Sequence, residues 1–144
     1  MQVSQILSGK GADVFSIPPE STVAHLVKTL SEHRVGALLV LDDAQAVVGI
    51  VSERDVVRAL SEDPTITSVT VEQIMTKGVV TVTPDTDVAD LMRLMTERRI
   101  RHVPVVDTDG HLLGLVSIGD AVKVRMDELE TERAALMDYI TQGG

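Results

Sequence analysis

The chain has no cysteine and no tryptophan, and Phe15 and Tyr139 are its only phenylalanine and tyrosine. Without cysteine there is no disulfide framework, no cysteine-ligated zinc or iron–sulfur centre and no thiol nucleophile, which suits a reducing, cytoplasmic setting. Positive charge is also scarce: 13 Lys and Arg stand against 22 Asp and Glu, a formal net charge of −9. An acidic chain without aromatic platforms lacks the basic groove and stacking surface that single-stranded nucleic acid requires, so no nucleic-acid partner is expected. No apolar run approaches the roughly 18 residues of a membrane span, and Met1-Gln2-Val3-Ser4-Gln5-Ile6-Leu7 has no basic region leading into an apolar stretch. The expectation is a soluble, unexported protein with no membrane partner. What remains is 144 residues, 44% of them hydrophobic, enough for the core of one ordinary domain or of two small ones.

The chain repeats itself. Sliding it by 65 positions lays Val14–Leu60 on Val79–Arg125 without a gap, and the identities include Pro19/Pro84, Leu26/Leu91, Arg34/Arg99, Asp42/Asp107, Gly49/Gly114, Ser52/Ser117 and Asp55/Asp120. Upstream, Val3-Ser4-Gln5-Ile6-Leu7 resembles Val71-Glu72-Gln73-Ile74-Met75. The repeats therefore run from about 3 to 60 and from 71 to 125, joined by Ser61–Thr70.

Each repeat has the same element pattern. Val14–Ile17 and Val79–Val82 are β-branched strands stopped by Pro18-Pro19 and Pro84. A helix follows, with Val23, Leu26, Val27 and Leu30 in the first copy and Val88, Leu91, Met92 and Met95 in the second forming one apolar face; Ser21 and Thr86 are candidate N-caps. Two apolar strands around a turn come next, Val35–Leu41 with Ala46–Val51 and Ile100–Val106 with His111–Val116, and a helix near Ser52 or Ser117 closes each repeat. The last helix is longer: Val122, Met126, Leu129, Leu136 and Ile140 recur at intervals of three, four or seven, interrupted by Arg133. That stripe needs a cover, from the chain's own body or from a partner chain, and periodicity does not separate the two.

The copies agree at polar positions in Gly49-Ile50-Val51-Ser52-Glu53-Arg54-Asp55 and Gly114-Leu115-Val116-Ser117-Ile118-Gly119-Asp120. One reading is a helix capping box, the serine capping the helix and the acid reaching back to the serine's amide. The other is a ligand site, because a strand entering a helix N-terminus offers amides to a phosphate and a carboxylate accepts both hydroxyls of a ribose. Arg93, Arg98, Arg99, Arg101 and His102 form a local basic cluster, either a solvated helix face or a phosphate contact at its distal end. Other constellations fail. Gly9-Lys10-Gly11 is neither a dinucleotide fingerprint nor a Walker loop, and His25, His33, His102 and His111 lack metal-ligand spacing. Asp107-Thr108-Asp109-Gly110 starts like a calcium loop without its later ligands. No catalytic apparatus is visible, so no enzyme, no catalytic cofactor and no metal site are expected.

Ile74-Met75-Thr76, Val82-Thr83-Pro84, Arg101-His102-Val103-Pro104-Val105-Val106-Asp107 and the two Gly-x-x-Ser-x-x-Asp segments together resemble a tandem pair of cystathionine-β-synthase-type (CBS) domains, a Bateman module. The resemblance spans Gln5 to about Arg125 and is closest to small stand-alone proteins made of one such pair. It implies an α/β (α+β) fold in which two β-α-β-β-α repeats pack about a pseudo-two-fold axis: 1–60, a linker 61–70, 71–125, and a C-terminal helix extension 126–144. It implies clefts between the repeats, a homodimer, and an adenosine compound as regulatory ligand: AMP, ADP, ATP, NAD(H) or S-adenosylmethionine, with AMP, ATP or NAD(H) foremost. Occupancy would regulate an unidentified protein. In the first cleft Asp55 would hold ribose hydroxyls and Ser52 would lie near ribose or phosphate. Ser16, Ile17 and Ala37 would line the adenine through backbone groups, and Arg54 would meet phosphate. In the second, Asp120 and Ser117 take the corresponding parts, Thr81, Val82, Thr83 and His102 line the adenine, and Arg101 or His102 meets phosphate. Leu39 stands where the second copy has Pro104, and Gly119 replaces Arg54, which puts equal affinity of the clefts in question. The alternative is a dimerisation or partner-docking scaffold with degenerate, ligand-free clefts. With so few rings, adenine would be held by aliphatic side chains and backbone groups.

Overall fold

Pairing of the apolar runs follows their composition. In the computed structural model, which describes residues 1–10 and 14–143, strand β1 (Ser16–Ile17) runs parallel to β2 (Ala37–Leu41), with Ser16 opposite Leu39 and Ile17 opposite Val40. β2 pairs antiparallel with β3 (Val47–Ser52), bringing Ala37 opposite Ser52. The second repeat builds the same hairpin from β4 (His102–Val106) and β5 (Leu112–Ser117), with His102 opposite Ser117. The leading strands are shorter than the β-branched runs suggest: each keeps the residues nearest its proline stop and loses those at its start. The first keeps two paired residues, and the second is a single bridge from Val82 to Val105. Both hairpins turn on an aspartate. Asp42 Oδ1 accepts from the amides of Ala44 and Ala46 at 3.0 and 2.9 Å, and Asp107 Oδ1 accepts from those of Asp109 and His111, both at 2.9 Å. The Asp42/Asp107 identity is thus turn chemistry.

Helices α2 (Val23–His33) and α5 (Val88–Arg98) bury Val23, Leu26 and Leu30, and Val88, Leu91 and Met95, against these strands. Val27, on the same expected face, is 45% exposed and lies at its edge. Their N-caps are Thr22 and Asp87, one residue later than expected. Thr22 Oγ1 accepts the His25 amide at 3.2 Å, whereas the Ser21 carbonyl accepts the Val71 amide at 2.7 Å and Thr86 Oγ1 accepts the Thr83 amide at 3.3 Å. The helices α3 (Glu53–Glu62) and α6 (Ile118–Gly143) follow β3 and β5 directly.

The described residues form two compact units, a central one from Val14 to Val80 and a terminal one combining residues up to Lys10 with those from Thr81 on. Helix α1 (Val3–Lys10) precedes the first repeat yet packs Val3 and Ile6 into the core of Val103, Val105 and Val116. Conversely, α4 (Val71–Ile74) precedes the second repeat and buries Val71 among Leu26, Leu38 and Val51. The repeated glycines make this possible. A Cβ on Gly49 would lie 2.5 Å from Met75 Sδ and 3.0 Å from the Thr76 carbonyl oxygen, and one on Gly114 would lie 2.6 Å from Leu7 Cδ2.

Beyond Glu128, α6 is exposed throughout the described residues, and Leu136 and Ile140 on its apolar stripe are 62% and 65% exposed. The chain's own unit leaves that stripe uncovered. Among the described residues no helix is long and apolar enough to cross a membrane.

Candidate functional site

Each repeat brings its serine–aspartate pair together where a strand runs straight into a helix. Ser52 ends β3 in an extended conformation and caps α3: its Oγ accepts the Asp55 amide at 3.4 Å, and Asp55 Oδ2 accepts the Ser52 amide at 2.8 Å and hydroxyl at 3.1 Å. In the terminal unit Ser117 Oγ accepts the Asp120 amide at 3.2 Å, and Asp120 Oδ2 accepts the Ser117 amide at 2.9 Å. The capping box read from the spacing is therefore present twice.

The cap does not saturate either carboxylate. All of these bonds fall on Oδ2, and among the described residues no hydrogen bond reaches Oδ1 of Asp55 or Asp120; Arg58 lies 3.7 Å from Asp55 Oδ1. A carboxylate oxygen accepts about two hydrogens, so each Oδ1 can still take a vicinal diol. The helix amides point the same way. The first, of Glu53 or Ile118, donates to the Gly36 or Arg101 carbonyl at 3.0 or 2.9 Å, and the third is held by the serine. The second, of Arg54 or Gly119, has no partner among the described residues. A diol acceptor beside an unpaired amide at a helix N-terminus is chemistry for a sugar carrying an anion.

The two sites differ in their surroundings. Asp55 is buried at 8% exposure, and Arg54 beside it is exposed and forms no ion pair among the described residues. Asp120 is half-buried and meets Lys10 from the end of α1, whose Nζ donates to Asp120 Oδ2 at 2.7 Å and to the Leu115 carbonyl at 2.9 Å. Burial favours the neutral acid, but the Lys10 ammonium and the Ser117 amide and hydroxyl outweigh it and hold the Asp120 carboxyl below its ordinary value. Sequence reasoning tested Lys10 only as part of a phosphate loop and missed this contact, which no local spacing signals.

Around these pairs, Ala37 is buried on β2 directly opposite Ser52, and Ser16 (exposed) and Ile17 (buried) lie on the next strand against Leu39 and Val40. In the terminal unit half-buried His102 is opposite Ser117, and Arg101 is exposed with its carbonyl bound to the Ile118 amide. Thr81 and Thr83 flank the bridge residue Val82, and the Thr83 hydroxyl is engaged by Asp85. The rest of the basic cluster is helix surface: Arg93 pairs with Asp90 at 3.0 Å, and Arg99 is the left-handed cap of α5. Polar ligand atoms of Asp107, Asp109 and His111 lie within 4.8 Å of one another, but they belong to the hairpin turn, whose amides occupy Asp107 Oδ1.

Two α+β units, each built on a β-α-β-β-α repeat with a serine–aspartate junction, define a paired-repeat fold. The CBS-domain family model matches residues 3–62 and 71–127, and the chain belongs to the CBS-domain family. The solved CBS-domain containing protein of Agrobacterium tumefaciens is 38% identical with a TM-score of 0.83, covering 86% of this chain and 92% of that one. The mitochondrial CBS domain-containing protein of Arabidopsis thaliana is 38% identical over 99% of this chain and 72% of its own length. A CBS domain protein from Pyrobaculum aerophilum, solved complexed with AMP, is 28% identical with a TM-score of 0.74 over 83% of this chain and 89% of that one.

Proposed function

We propose that this CBS-domain pair is a non-catalytic sensor of an adenosine-containing ligand, AMP foremost within a class that includes ADP, ATP, NAD(H) and S-adenosylmethionine, and that occupancy regulates another protein. One observation carries the reading: in both units a carboxylate is fixed through Oδ2 alone, leaving Oδ1 available beside an unpaired helix amide. Ribose hydroxyls would sit on Asp55 and Asp120, and phosphate near Ser52 with Arg54 and near Ser117 with Arg101 or His102. Ser16, Ile17 and Ala37, and Thr81, Thr83 and His102, would bound the adenine. The AMP complex of the Pyrobaculum aerophilum relative supports the ligand class. Absence of cysteine supports a reducing, cytoplasmic setting.

Thermal melting tests this directly. A ligand at about 100 times its Kd adds roughly 2.7 kcal/mol and raises the melting temperature. No shift with AMP, ATP, NADH or S-adenosylmethionine overturns the reading. Asp120→Asn should abolish binding in the terminal unit while costing the unliganded protein about 1 kcal/mol or less; equal ligand shifts in variant and parent would leave Asp120 a cap only.

A second reading, a dimerisation scaffold with ligand-free sites, is favoured by the uncovered stripe of α6. In both readings the occupant of the stripe is a second copy of α6. Val122, Met126, Leu129, Leu136 and Ile140 keep the three-and-four spacing of a coiled-coil seam, and exposed Lys123 and Glu130 flank it with opposite charge. A dimer that ignores every nucleotide would select the scaffold.

A further inference from the structure

We propose that Lys10 is a phosphate-recognising cation of the terminal unit beside Arg101 or His102, taking the part that Arg54 has in the first repeat and Gly119 cannot take in the second. The inference rests on the adenosine-ligand reading above. In the first repeat the residue two after the capping serine is Arg54; in the second it is Gly119. Nothing steric demands that glycine, since a Cβ there would meet only Ser117 Oγ, at 3.7 Å, and its φ lies outside the left-handed region. The second repeat thus carries the carboxylate and the unpaired amide but no cation in the first turn of its helix.

Lys10 supplies one from elsewhere in the chain. Its ammonium lies 2.7 Å from Asp120 Oδ2 and 2.9 Å from the Leu115 carbonyl oxygen, and these two bonds leave its third N–H for a ligand. Among the described residues of the central unit no lysine ammonium reaches the Asp55 carboxylate. There α4 takes the place of α1, and Asp55 Oδ2 accepts the Ser52 hydroxyl instead of an ammonium. The cation therefore sits on α3 in one unit and on α1 in the other. A fixed positive charge beside the ribose-holding carboxylate strengthens binding of a ligand with phosphate on its sugar, and it adds nothing for the bare nucleoside.

Backbone amide shifts on the full chain read the two sites separately: those of Ser117 and Asp120 report the terminal unit, those of Ser52 and Asp55 the central one. AMP and adenosine are titrated into the parent, Lys10→Met and Lys10→Met/Gly119→Arg. At Ser117 and Asp120, Lys10→Met should weaken AMP about tenfold, the loss of one charge-assisted hydrogen bond, and change adenosine by less than about twofold. The titration at Ser52 and Asp55 should not move, and Gly119→Arg should restore most of the AMP affinity. Equal weakening of AMP and adenosine, unchanged AMP binding, or failure of the arginine to rescue would overturn the proposal and leave Lys10 a purely structural tie. If neither ligand shifts either set of amides in the parent protein, the adenosine-ligand reading itself falls, and this proposal with it.

Discussion

Gly49 and Gly114 begin the repeated motif, but their work is done by what they lack. At Gly49 a methyl group would press on the Met75 side chain and on the Thr76 carbonyl, and the backbone cannot step aside; at Gly114 it would meet only the flexible end of Leu7. Gly49→Ala should therefore cost about 1–3 kcal/mol in chemical denaturation, and Gly114→Ala clearly less. Equal costs would mean that the helices dock differently from the arrangement described. These residues also mark where the sequence was readable. The Ser52–Asp55 and Ser117–Asp120 pairs were legible because cap and partner lie three residues apart, and the turn aspartates Asp42 and Asp107 were visible as an identity between repeats. The functions of Gly49, Gly114 and Lys10 were not, because their partners lie far along the chain and only folding brings them near.

Helix α1 shows the same limit one level up. Its apolar residues announce a buried face, yet no periodicity says which repeat buries it, and it docks on the second: the Val3 and Ser4 amides reach the Thr86 and Pro84 carbonyls, both at 2.9 Å, and Lys10 reaches Asp120. That last tie is pH-dependent. The folded-state value of Asp120 lies below the ordinary 3.8, so its contribution is present in full above that pH and is lost as pH falls through the folded value. The stability difference between parent and Lys10→Met should be constant near neutrality and close on acidification below about pH 3.8; a gap that persists there would contradict the ion pair. Helix α6 makes a different prediction. Its residues beyond Glu128 are exposed, so a chain ending at Glu128 should still unfold cooperatively, its melting temperature lowered only by the lost pairing, while light scattering changes from dimer to monomer. Loss of the fold on truncation, or a monomeric parent at micromolar concentration, would contradict pairing through this helix. The stripe itself was plain in the sequence; that its own unit leaves it bare was not, since heptad spacing looks the same on either kind of surface.

For the whole molecule, the gapless repeat by itself conveys two like α+β units, because copies that agree in pattern must solve the same packing problem. It did not convey that the compact units exchange their leading helices, which makes each unit a composite of both repeats. One consequence is that the two serine–aspartate junctions, alike in serine, aspartate and helix amide, differ in charge, through Arg54 in the central unit and Lys10 in the terminal one. The central claim is that these sites hold an adenosine ligand. Isothermal titration of AMP into the parent and into Asp55→Asn/Asp120→Asn tests it most directly. Saturable binding in the parent, up to one AMP per unit, and none in a double variant that still melts cooperatively is the expected result. Undiminished binding in the variant, or no heat with the parent, would contradict it.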